Sequence, residues 1–408
     1  MNESRFVILG GGMVAGYAAK QLVELGLKPG EMTILSADSS VPYERPPLSK
    51  GFLAGKDSEE SIRINSADFY REHGIEIKVN CEISEVDPGR KRLVLKAGGE
   101  FGYGKLIVAT GASPRTLAIP GADLKNLYYL RSLDSSKAIR SAAEKSKRAV
   151  VIGGGFIGME VAAVLAQKNI EVTMILTDDR LGKRLFSPQM STFFESYYAT
   201  HGVKLIKSAT ATELRGDGVV SAVVVNTGQS VPCDLVVAGI GVHLNTAMFA
   251  NSGIEIADGV MVNEYLETSH PDIYAAGDIA NYPDVLFEKR RRVEHWDNAV
   301  SQGQFCARSL MGERVPFKHV PYFFSDIFDL SYEYWGDLSG ADEAVHRGDL
   351  SSKNFSVWWL RQKHLVAAFV MGRPDEERES APKWIESKQS LSAAKLADQA
   401  TPISSSLE

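Results

Sequence analysis

The chain has 408 residues, of which 44% are hydrophobic and 24% are charged, and its formal net charge is −6 at pH 7. This length and composition predict a globular protein of two or three domains, and the acidic balance argues against nucleic-acid binding, which depends on a basic surface. No apolar run reaches the roughly 18 residues of a membrane span, and no secretory leader precedes the first predicted strand, so we predict a cytoplasmic protein without membrane contact.

The first predicted element is a strand that leads through a glycine turn into an amphipathic helix, RFVILGGGMVAGYAAKQL from Arg5. Gly10, Gly12 and Ala15 fit the pattern GxGxxG/A, and Asp38 follows about 20 residues further on, after a second strand. Glycines in this pattern let backbone amides approach a pyrophosphate, and the acidic side chain accepts hydrogen bonds from ribose hydroxyls. The segment therefore predicts a βαβ dinucleotide-binding unit.

A proline-rich loop follows, VPYERPPLSKGFL at 41–53, with Arg45 and Lys50 on either side of two prolines. Because proline restricts the backbone, the loop is predicted to hold Lys50 rigidly. The sequence contains no candidate for a redox-active cysteine pair, since Cys81, Cys233 and Cys306 are too far apart to form a CxxC or CxxxxC pair. A dithiol mechanism has no support.

The glycine turn is repeated in RAVVIGGGFIGMEVAAVL from Arg148. Gly153, Gly155 and Gly158 fit GxGxxG, and Asp178 again follows about 20 residues later. One such pattern is weak evidence, but an internal duplication with an acidic residue at the expected distance in each copy is strong evidence. Two nucleotide sites are predicted.

The two copies differ in ways that separate their ligands. Phe156 and Glu160 of the second copy replace Met13 and Tyr17 of the first. Asp178 favours a free 2′-hydroxyl, because a carboxylate repels the 2′-phosphate of NADPH. NADH is therefore preferred to NADPH, although three basic residues follow closely, namely Arg180, Lys183 and Arg184.

The remainder of the chain predicts a smaller antiparallel domain. Two segments, 322–336 and 355–372, are rich in aromatic and β-branched residues, and RQKH is placed to turn a hairpin in the second. From 380 the sequence is rich in Ser, Ala, Lys and Gln and ends SSSLE, which predicts a disordered tail with a short helix or a vector-derived end. The histidines lack metal-ligand spacing, so no metal site is predicted.

Taken together, these motifs resemble the FAD-dependent pyridine nucleotide-disulfide oxidoreductase superfamily, which has the glutathione-reductase fold. Within it, the chain is most similar to the branch of ferredoxin and rubredoxin reductases, monodehydroascorbate reductases and apoptosis-inducing factor. The resemblance covers residues 5–375 and includes PYERPPLSK (42–50), LIVATGASPR (106–115), DLVVAGIGVHLNT (234–246) and TSHPDIYAAGDIA (268–280).

The resemblance implies an α/β fold with two Rossmann-like dinucleotide-binding domains and a small C-terminal α+β interface domain. The expected segments are 1–115 with 243–315 for FAD, 116–242 for NAD(P)H, 316–379 for the interface domain and 380–408 for the tail. The residues that it assigns to FAD are Gly10, Gly12, Ala15, Asp38, Arg45, Lys50, Thr110, Gly111, Gly277, Asp278, Glu294, His295 and Trp296. Those that it assigns to NADH are Gly153, Gly155, Phe156, Ile157, Gly158, Glu160, Asp178 and Gly241.

Three residues are implied to be catalytic by the same resemblance. Lys50 pairs with Glu160 close to flavin N5, and Phe156 covers the flavin until the nicotinamide displaces it. A cation there would stabilise negative charge, and a first-turn carboxylate is favoured by the helix dipole. The residues alone also fit a solvated lysine, an ordinary first-turn glutamate and a core aromatic.

The sequence does not decide the identity of the electron acceptor. Transfer from NADH through FAD to a ferredoxin- or rubredoxin-like protein, reduction of monodehydroascorbate, and redox sensing in the manner of apoptosis-inducing factor all fit the resemblance. Val300 stands where monodehydroascorbate reductases usually have arginine, and Phe324 stands where they have tyrosine and ferredoxin reductases have tryptophan. Trp296, Phe323 and Phe324 are either an electron exit or core aromatics.

The basic run Lys289–Arg292 either steers an acidic partner or forms a solvated loop. The sequence is compatible with a monomer or a homodimer.

Overall fold

The computed structural model describes residues 2–408, which divide into two compact units. Unit 1 comprises the chain up to Arg45, Glu59–Ser113 and Val242–Pro321; unit 2 comprises Pro46–Ser58, Pro114–Gly241 and Tyr322–Glu408. The predicted boundaries separate the NAD(P)H domain from the C-terminal domain, whereas the structure groups both in unit 2. It also assigns the second half of the proline-rich loop, with Lys50, to that unit.

A seven-stranded sheet lies at the centre of unit 1. Its parallel strands are, in spatial order, Glu76–Lys78, Met32–Leu35, Asn2–Leu9, Glu100–Val108 and Ile273–Ala275. Two antiparallel strands, Arg92–Leu95 and Ile83–Asp87, extend the sheet from the first residues of Glu100–Val108. The central strands are buried apolar runs, as expected for parallel strands that are covered on both faces.

Two helices of unit 1, Met13–Glu24 and Trp296–Leu310, pack closely on one another. A Cβ atom on Gly303 would lie 2.8 Å from the main-chain oxygen of Val14, so only glycine permits this approach. The other elements of unit 1 are the helix Ala67–Glu72, the 3₁₀ turns Ala247–Phe249 and Gly277–Ile279, a sheet of Ile256–Ala257, Gly259–Met261, Ala280–Asp284 and Lys289–Arg291, and the pair Ala112–Pro114 with Val242–Leu244.

Unit 2 contains a second parallel sheet, built from the repeated βαβ segment. Its strands are, in spatial order, Lys204–Ile206, Glu171–Ile175, Arg148–Ile152, Leu235–Ala238 and Leu127–Tyr128. Helices Leu133–Ala143, Phe156–Gln167 and Pro188–Thr200 accompany the sheet, and an antiparallel sheet of Ala211–Gly216, Val220–Val225 and Ser230–Pro232 adjoins it. The proline-rich loop contributes the 3₁₀ turn Pro46–Ser49 and the helix Gly51–Ala54.

The C-terminal part of unit 2 is a five-stranded antiparallel sheet with strand order Tyr322–Ile327, Leu330–Gly336, His364–Met371, Asn354–Arg361 and Glu343–Asp349. The predicted hairpin forms at RQKH, where Gln362 and Lys363 have φ values of 50° and 68°. Positive φ at both central residues is the geometry of a two-residue hairpin turn.

The segment 380–408 is a correction to the sequence prediction, because it is folded rather than a disordered tail. It includes the end of the helix Asp375–Ser387, the helix Ala393–Ala397 and the 3₁₀ turn Ile403–Ser406. The buried guanidinium of Arg347 donates hydrogen bonds to the main-chain oxygens of residues 396, 398 and 401 and forms an ion pair with Glu377, 3.0 Å away. Buried polar groups of the sheet thus fix this segment, and its composition gave no sign of them.

No helix within residues 2–408 combines the length and the apolar character that crossing a bilayer requires.

Candidate functional site

The first glycine of each turn has the same backbone geometry. Gly10 and Gly153 have φ values of 124° and 117°, a region that L side chains rarely occupy. A Cβ atom would lie 2.1 Å from the main-chain oxygen of Ala109 in the first turn and 2.2 Å from that of Gly239 in the second. The duplication seen in the sequence is therefore a duplication of local structure.

The second glycine of each turn, Gly12 or Gly155, precedes a twelve-residue helix as its N-cap. A Cβ atom at either position would meet nothing within 4 Å, so the space in front of both helix N-termini is open. Amides at such a terminus bind anionic groups. Both turns therefore fit a dinucleotide pyrophosphate.

The third position differs between the turns. A Cβ atom on Gly158 would lie 2.4 Å from the main-chain oxygen of Gly153, so this turn requires glycine. The buried Ala15 occupies the matching position in the first turn, where its methyl group is accommodated.

Asp38 and Asp178 lie at matching places beyond the second strand of each copy. The main-chain oxygen of Asp38 accepts a hydrogen bond from the Asn80 amide at 3.0 Å, and that of Asp178 accepts one from the Ser208 amide at 2.9 Å. Each acidic residue is thus fixed by the loop that follows the third strand of its sheet.

The side chain of Asp38 is held by its own loop. Its Oδ2 accepts a hydrogen bond of 2.6 Å from the Tyr43 hydroxyl, and it lies 3.5 Å from the Arg45 guanidinium. Arg45 also stacks over the ring of Tyr43. The two predicted FAD residues Asp38 and Arg45 are therefore brought together within unit 1.

Asp178, by contrast, is exposed. Its neighbour Asp179 forms ion pairs with Lys183 at 3.0 Å and with Arg180 at 3.8 Å, and the pKa of the Asp179 carboxyl is lowered by this interaction with Lys183. Arg180 and Lys183 are two of the three basic residues that could bind the 2′-phosphate of NADPH. Both are thus paired with a carboxylate.

Thr110, Gly111 and Gly277, which are also predicted to bind FAD, lie in loops and a 3₁₀ turn of unit 1. Thr110 donates a hydrogen bond to the main-chain oxygen of Asn245 at 3.0 Å, next to Gly111 with its positive φ of 59°. The Gly277 amide donates to the buried side chain of Gln302 at 2.7 Å. These hydrogen bonds hold the loops that follow from the motifs LIVATGASPR and TSHPDIYAAGDIA.

Glu44 is a residue of this region that the sequence analysis missed. Its carboxylate accepts hydrogen bonds from the Tyr17 hydroxyl, at 2.6 Å, and from the indole of Trp296. Tyr17 lies in the first glycine-turn helix, and burial, together with this bond to Glu44, raises its pKa. The position of Glu44 inside the PYERPPLSK motif was the available signal.

Most of the basic run Lys289–Arg292 is a strand rather than a loop, and its three arginine side chains bond within unit 1. Arg290 donates to the main-chain oxygens of residues 262 and 281, at 2.9 and 2.7 Å. Arg291 forms an ion pair with the buried Asp284. Arg292 pairs with Glu294 and, at 3.1 Å, donates to the main-chain oxygen of Asp278.

In unit 2, Lys50 and Glu160 form a buried ion pair with a distance of 2.8 Å between Nζ and Oε1. The Lys50 side chain is 15% exposed and that of Glu160 is 5% exposed, so both charges are largely removed from water. The Lys50 ammonium also lies 5.2 Å from the centroid of the Phe324 ring, within cation–π range. Lys50 and Glu160, which the resemblance pairs, are therefore in direct contact.

Two serines complete the surroundings of Glu160. Ser325 Oγ donates to Glu160 Oε1 at 2.6 Å, and Ser49 Oγ donates a short hydrogen bond to Oε2. All three residues are buried. The sequence analysis missed both serines, although Ser49 lies inside the PYERPPLSK motif.

The expectation that Glu160 lies in the first helical turn is wrong. Helix Phe156–Gln167 has no acidic residue in its first turn, and Glu160 is its fifth residue. The effect of the helix dipole fades within that turn. The ammonium of Lys50 and the two serine hydroxyls, rather than the dipole, stabilise the carboxylate.

Phe156 begins this helix and is half-buried against Phe323, with ring centroids 4.4 Å apart. Ile157 beside it is 48% exposed. Gly241 has a φ of 99°, and its main-chain oxygen accepts a hydrogen bond of 2.9 Å from the Arg115 amide.

The thiols are free in the part of the chain that the structure describes. Cys233 and Cys306 are buried, and Cys81 is partly buried. Burial raises the pKa of Cys233 to about 12, which keeps it protonated at neutral pH.

The model of the family described as pyridine nucleotide-disulphide oxidoreductase matches residues 4–303 of the chain. The chain belongs to this family. A second model, described as reductase C-terminal, matches residues 322–407 of this oxidoreductase and so includes the segment predicted to be a tail. The predicted superfamily and fold class are confirmed, and membership implies FAD and a nicotinamide nucleotide as cofactors.

The oxidoreductase is similar to enzymes with two kinds of acceptor. It is 36% identical to monodehydroascorbate reductase 4, peroxisomal, of Arabidopsis thaliana, over 95% of this chain and 83% of that relative. Its structure matches putidaredoxin reductase in a covalent complex with putidaredoxin, with a TM-score of 0.93, 30% identity and coverage of 99% and 97% of the two chains. A ferredoxin reductase of Rhodopseudomonas palustris matches with a TM-score of 0.93, 31% identity and coverage of 99% and 100%.

Proposed function

We propose that this oxidoreductase transfers hydride from NADH to FAD and passes the electrons singly to a ferredoxin- or rubredoxin-like protein. The observation that carries the proposal is the buried Lys50–Glu160 ion pair on the helix of the second glycine turn, in a chain without a cysteine pair. FAD, when bound, accepts hydride from a nicotinamide and releases electrons one at a time. The protein supplies binding, orientation and charge.

In this proposal the residues of unit 1 hold FAD. Its pyrophosphate lies at the first glycine turn, and Asp38 accepts hydrogen bonds from a ribose. The open space in front of Gly12 and the ordered carboxylate of Asp38 support this assignment. Thr110, Gly111, Gly277, Asp278, Glu294, His295 and Trp296 supply the other predicted contacts.

The residues of unit 2 hold NADH. Gly155 leaves room for the pyrophosphate, Asp178 binds the adenosine ribose, and Phe156 opens for the nicotinamide. Preference for NADH over NADPH is supported by the exposed carboxylate of Asp178 and by the pairing of Arg180 and Lys183 with Asp179.

Lys50 and Glu160 act as a charged pair at the hydride-transfer step. An ammonium held in place by a buried carboxylate offers a fixed positive charge, which costs no reorganisation when negative charge develops. The short distance and low exposure of this pair support the role.

Reduction of monodehydroascorbate is the second candidate, favoured by the 36% identity to a reductase of that name. Against it, Val300 packs on the apolar core of unit 1, where an arginine would be needed to bind an acidic radical. The structural matches to putidaredoxin reductase and to a ferredoxin reductase support a protein acceptor.

Stopped-flow reduction with NADH and NADPH, followed by reoxidation with ferredoxin, rubredoxin or monodehydroascorbate in parallel, tests the proposal. We expect NADH to bleach the flavin absorbance faster than NADPH and an iron–sulfur protein or rubredoxin to restore it fastest. Fastest reoxidation by monodehydroascorbate would establish the second candidate. Slow reoxidation by all three, with a change in sedimentation on adding NADH, would instead indicate a redox sensor.

The cytoplasmic location stays a prediction, since the Arabidopsis relative is named as peroxisomal. Fractionation of the native cells would test it.

A further inference from the structure

Three consecutive residues of the strand Tyr322–Ile327 contact the three predicted catalytic residues. The contacts join the ring of Phe323 to that of Phe156 at 4.4 Å between centroids, the ring of Phe324 to the ammonium of Lys50 at 5.2 Å, and the hydroxyl of Ser325 to the carboxylate of Glu160 at 2.6 Å. The C-terminal sheet therefore reaches the ion pair through adjacent side chains.

We propose that Ser325, with Ser49 on the opposite oxygen, is a positioning residue that fixes the Glu160 carboxylate and thereby the Lys50 ammonium. This inference rests on the proposed function, because it assigns a purpose to the geometry of the pair used there.

The hydrogen-bond pattern at Glu160 carries the inference. Oε1 accepts from both Lys50 and Ser325, whereas Oε2 accepts from Ser49. The terminal torsion of glutamate is soft, so a carboxylate held by one donor can rotate. Donors on both oxygens fix its plane, and hydrogen bonds to an ionised group are roughly twice as strong as neutral ones.

Two buried tyrosines lie near the Glu160 carboxylate and are neutral. The phenols of Tyr198 and Tyr332 lie near enough for Glu160 to contribute to their raised pKa values, for which burial is the main cause. Both rings thus stay neutral beside the carboxylate. Loss of the Ser325 hydroxyl would leave Lys50 as the only donor to Oε1 and Ser49 as the only donor to Oε2, so the carboxylate and the ammonium would both be held less tightly.

The test compares two buried serines that each donate to a buried glutamate; Ser356 Oγ in addition accepts a hydrogen bond of 2.9 Å from the Trp358 indole. Ser325 and Ser356 are both fully buried in the C-terminal sheet, and each donates a hydrogen bond of 2.6 Å to a buried glutamate, Glu160 or Glu377. Ser356→Ala therefore controls for the general effect of removing a buried hydroxyl. FAD content, thermal midpoint, single-turnover reduction by NADH and the flavin midpoint potential would be measured for each variant.

We expect Ser325→Ala to keep its FAD and to lower the limiting rate of flavin reduction about three- to tenfold, with KM for NADH changed less than about twofold. Its midpoint potential should become more negative, because the cation is less well fixed. Ser325→Thr, which keeps the hydroxyl, should restore both values, and Ser356→Ala should leave both as in the wild type. Ser49→Ala should reproduce the direction of both changes independently if Ser325→Ala fails to fold.

Equal rates and potentials for Ser325→Ala and Ser356→Ala would overturn the inference, as would a failure of the threonine variant to restore them. Both outcomes leave the proposed function intact, provided that NADH bleaches the wild type. A wild type that holds FAD but is not bleached by NADH would overturn the proposed function and this inference with it.

Discussion

Lys50 and Glu160 neutralise each other's charge in the protein interior, so a change at either residue affects the other. Replacing Lys50 by Gln leaves a buried carboxylate without its cation, and breaking a buried pair costs about 3–5 kcal/mol. Because Ser49 and Ser325 still donate to Glu160, we expect a loss of unfolding free energy near the lower end, about 3 kcal/mol. NADH-driven flavin reduction should slow at least about tenfold, equivalent to ~1.4 kcal/mol in the barrier. Denaturant unfolding and stopped-flow absorbance measure the two effects.

The pair Lys207–Glu195, with a 2.7 Å distance and a Lys207 side chain that is 41% exposed, provides the control. Lys207→Gln should change stability by less than about 1 kcal/mol and leave flavin reduction unaffected, since exposed ion pairs contribute little. In addition, the double variant Lys50→Gln/Glu160→Gln should lose less stability than the sum of the single variants. Additive losses, or unchanged reduction in Lys50→Gln, would contradict the assigned pair.

His295 makes stability depend on pH. Burial, with a contribution from the charge of Arg291, lowers the pKa of His295 from 6.5 to about 4. Between these values the unfolded chain binds a proton that the folded protein does not, so stability falls as pH drops through 6.5 towards 4. The loss is about 1.4 kcal/mol per pH unit, or about 2 kcal/mol at pH 5 relative to pH 7.

His295→Gln removes this proton uptake from the unfolded chain. Chemical denaturation at pH 7 and pH 5 should show a difference in unfolding free energy about 2 kcal/mol smaller in this variant than in the wild type. His201→Gln, the same replacement at an exposed histidine, is measured alongside as the control. The same acid sensitivity in His295→Gln and the wild type would contradict the assignment.

We expect Arg347 to hold the C-terminal segment 391–407 in place through hydrogen bonds to its main chain. Its guanidinium is 5% exposed and donates to three main-chain oxygens of that segment while pairing with Glu377. Arg347→Met removes these donors but retains much of the apolar stem, so we expect a loss of about 3–5 kcal/mol. Hydrogen exchange of 391–407 should accelerate more than that of the sheet.

Arg361→Met is the control for this element, since Arg361 is exposed on the same sheet. It should leave exchange in 391–407 unchanged. Normal protection of that segment in Arg347→Met would show that its apolar contacts, such as those of the buried Leu396 and Ile403, suffice to hold it.

The elements that the sequence could predict are those with a local pattern. The two glycine turns had a repeated motif and the hairpin at Gln362 had a turn signal, whereas the Lys50–Glu160 pair was implied by the family resemblance. Ser325 and Arg347 had none, because their partners are distant in sequence and, for Arg347, are mostly main-chain oxygens. Composition marked the C-terminal segment as polar and did not reveal the buried guanidinium of Arg347 that bonds to its main-chain oxygens.

The second Rossmann sheet and the C-terminal sheet belong to the same compact unit, and we expect them to unfold together. Phe194, fully buried on the helix Pro188–Thr200, lies 5.5 Å from the ring of Tyr332 and 6.5 Å from that of Phe369 in the C-terminal sheet. On the same helix, Tyr198 donates a hydrogen bond of 2.8 Å to the main-chain oxygen of Met159 in the second glycine-turn helix. One helix therefore joins the two sheets.

Phe194→Ala tests this coupling, because truncating a buried phenylalanine costs about 3–5 kcal/mol. If the two sheets unfold together, protection of the slowest-exchanging amides in strands Arg148–Ile152 and His364–Met371 should fall by the same factor, about two to four orders of magnitude. If the predicted division into separate NAD(P)H and C-terminal domains describes the energetics better, only one strand should lose protection. Equal loss in both would mean that the C-terminal sheet, which carries Ser325, cannot unfold without releasing Glu160.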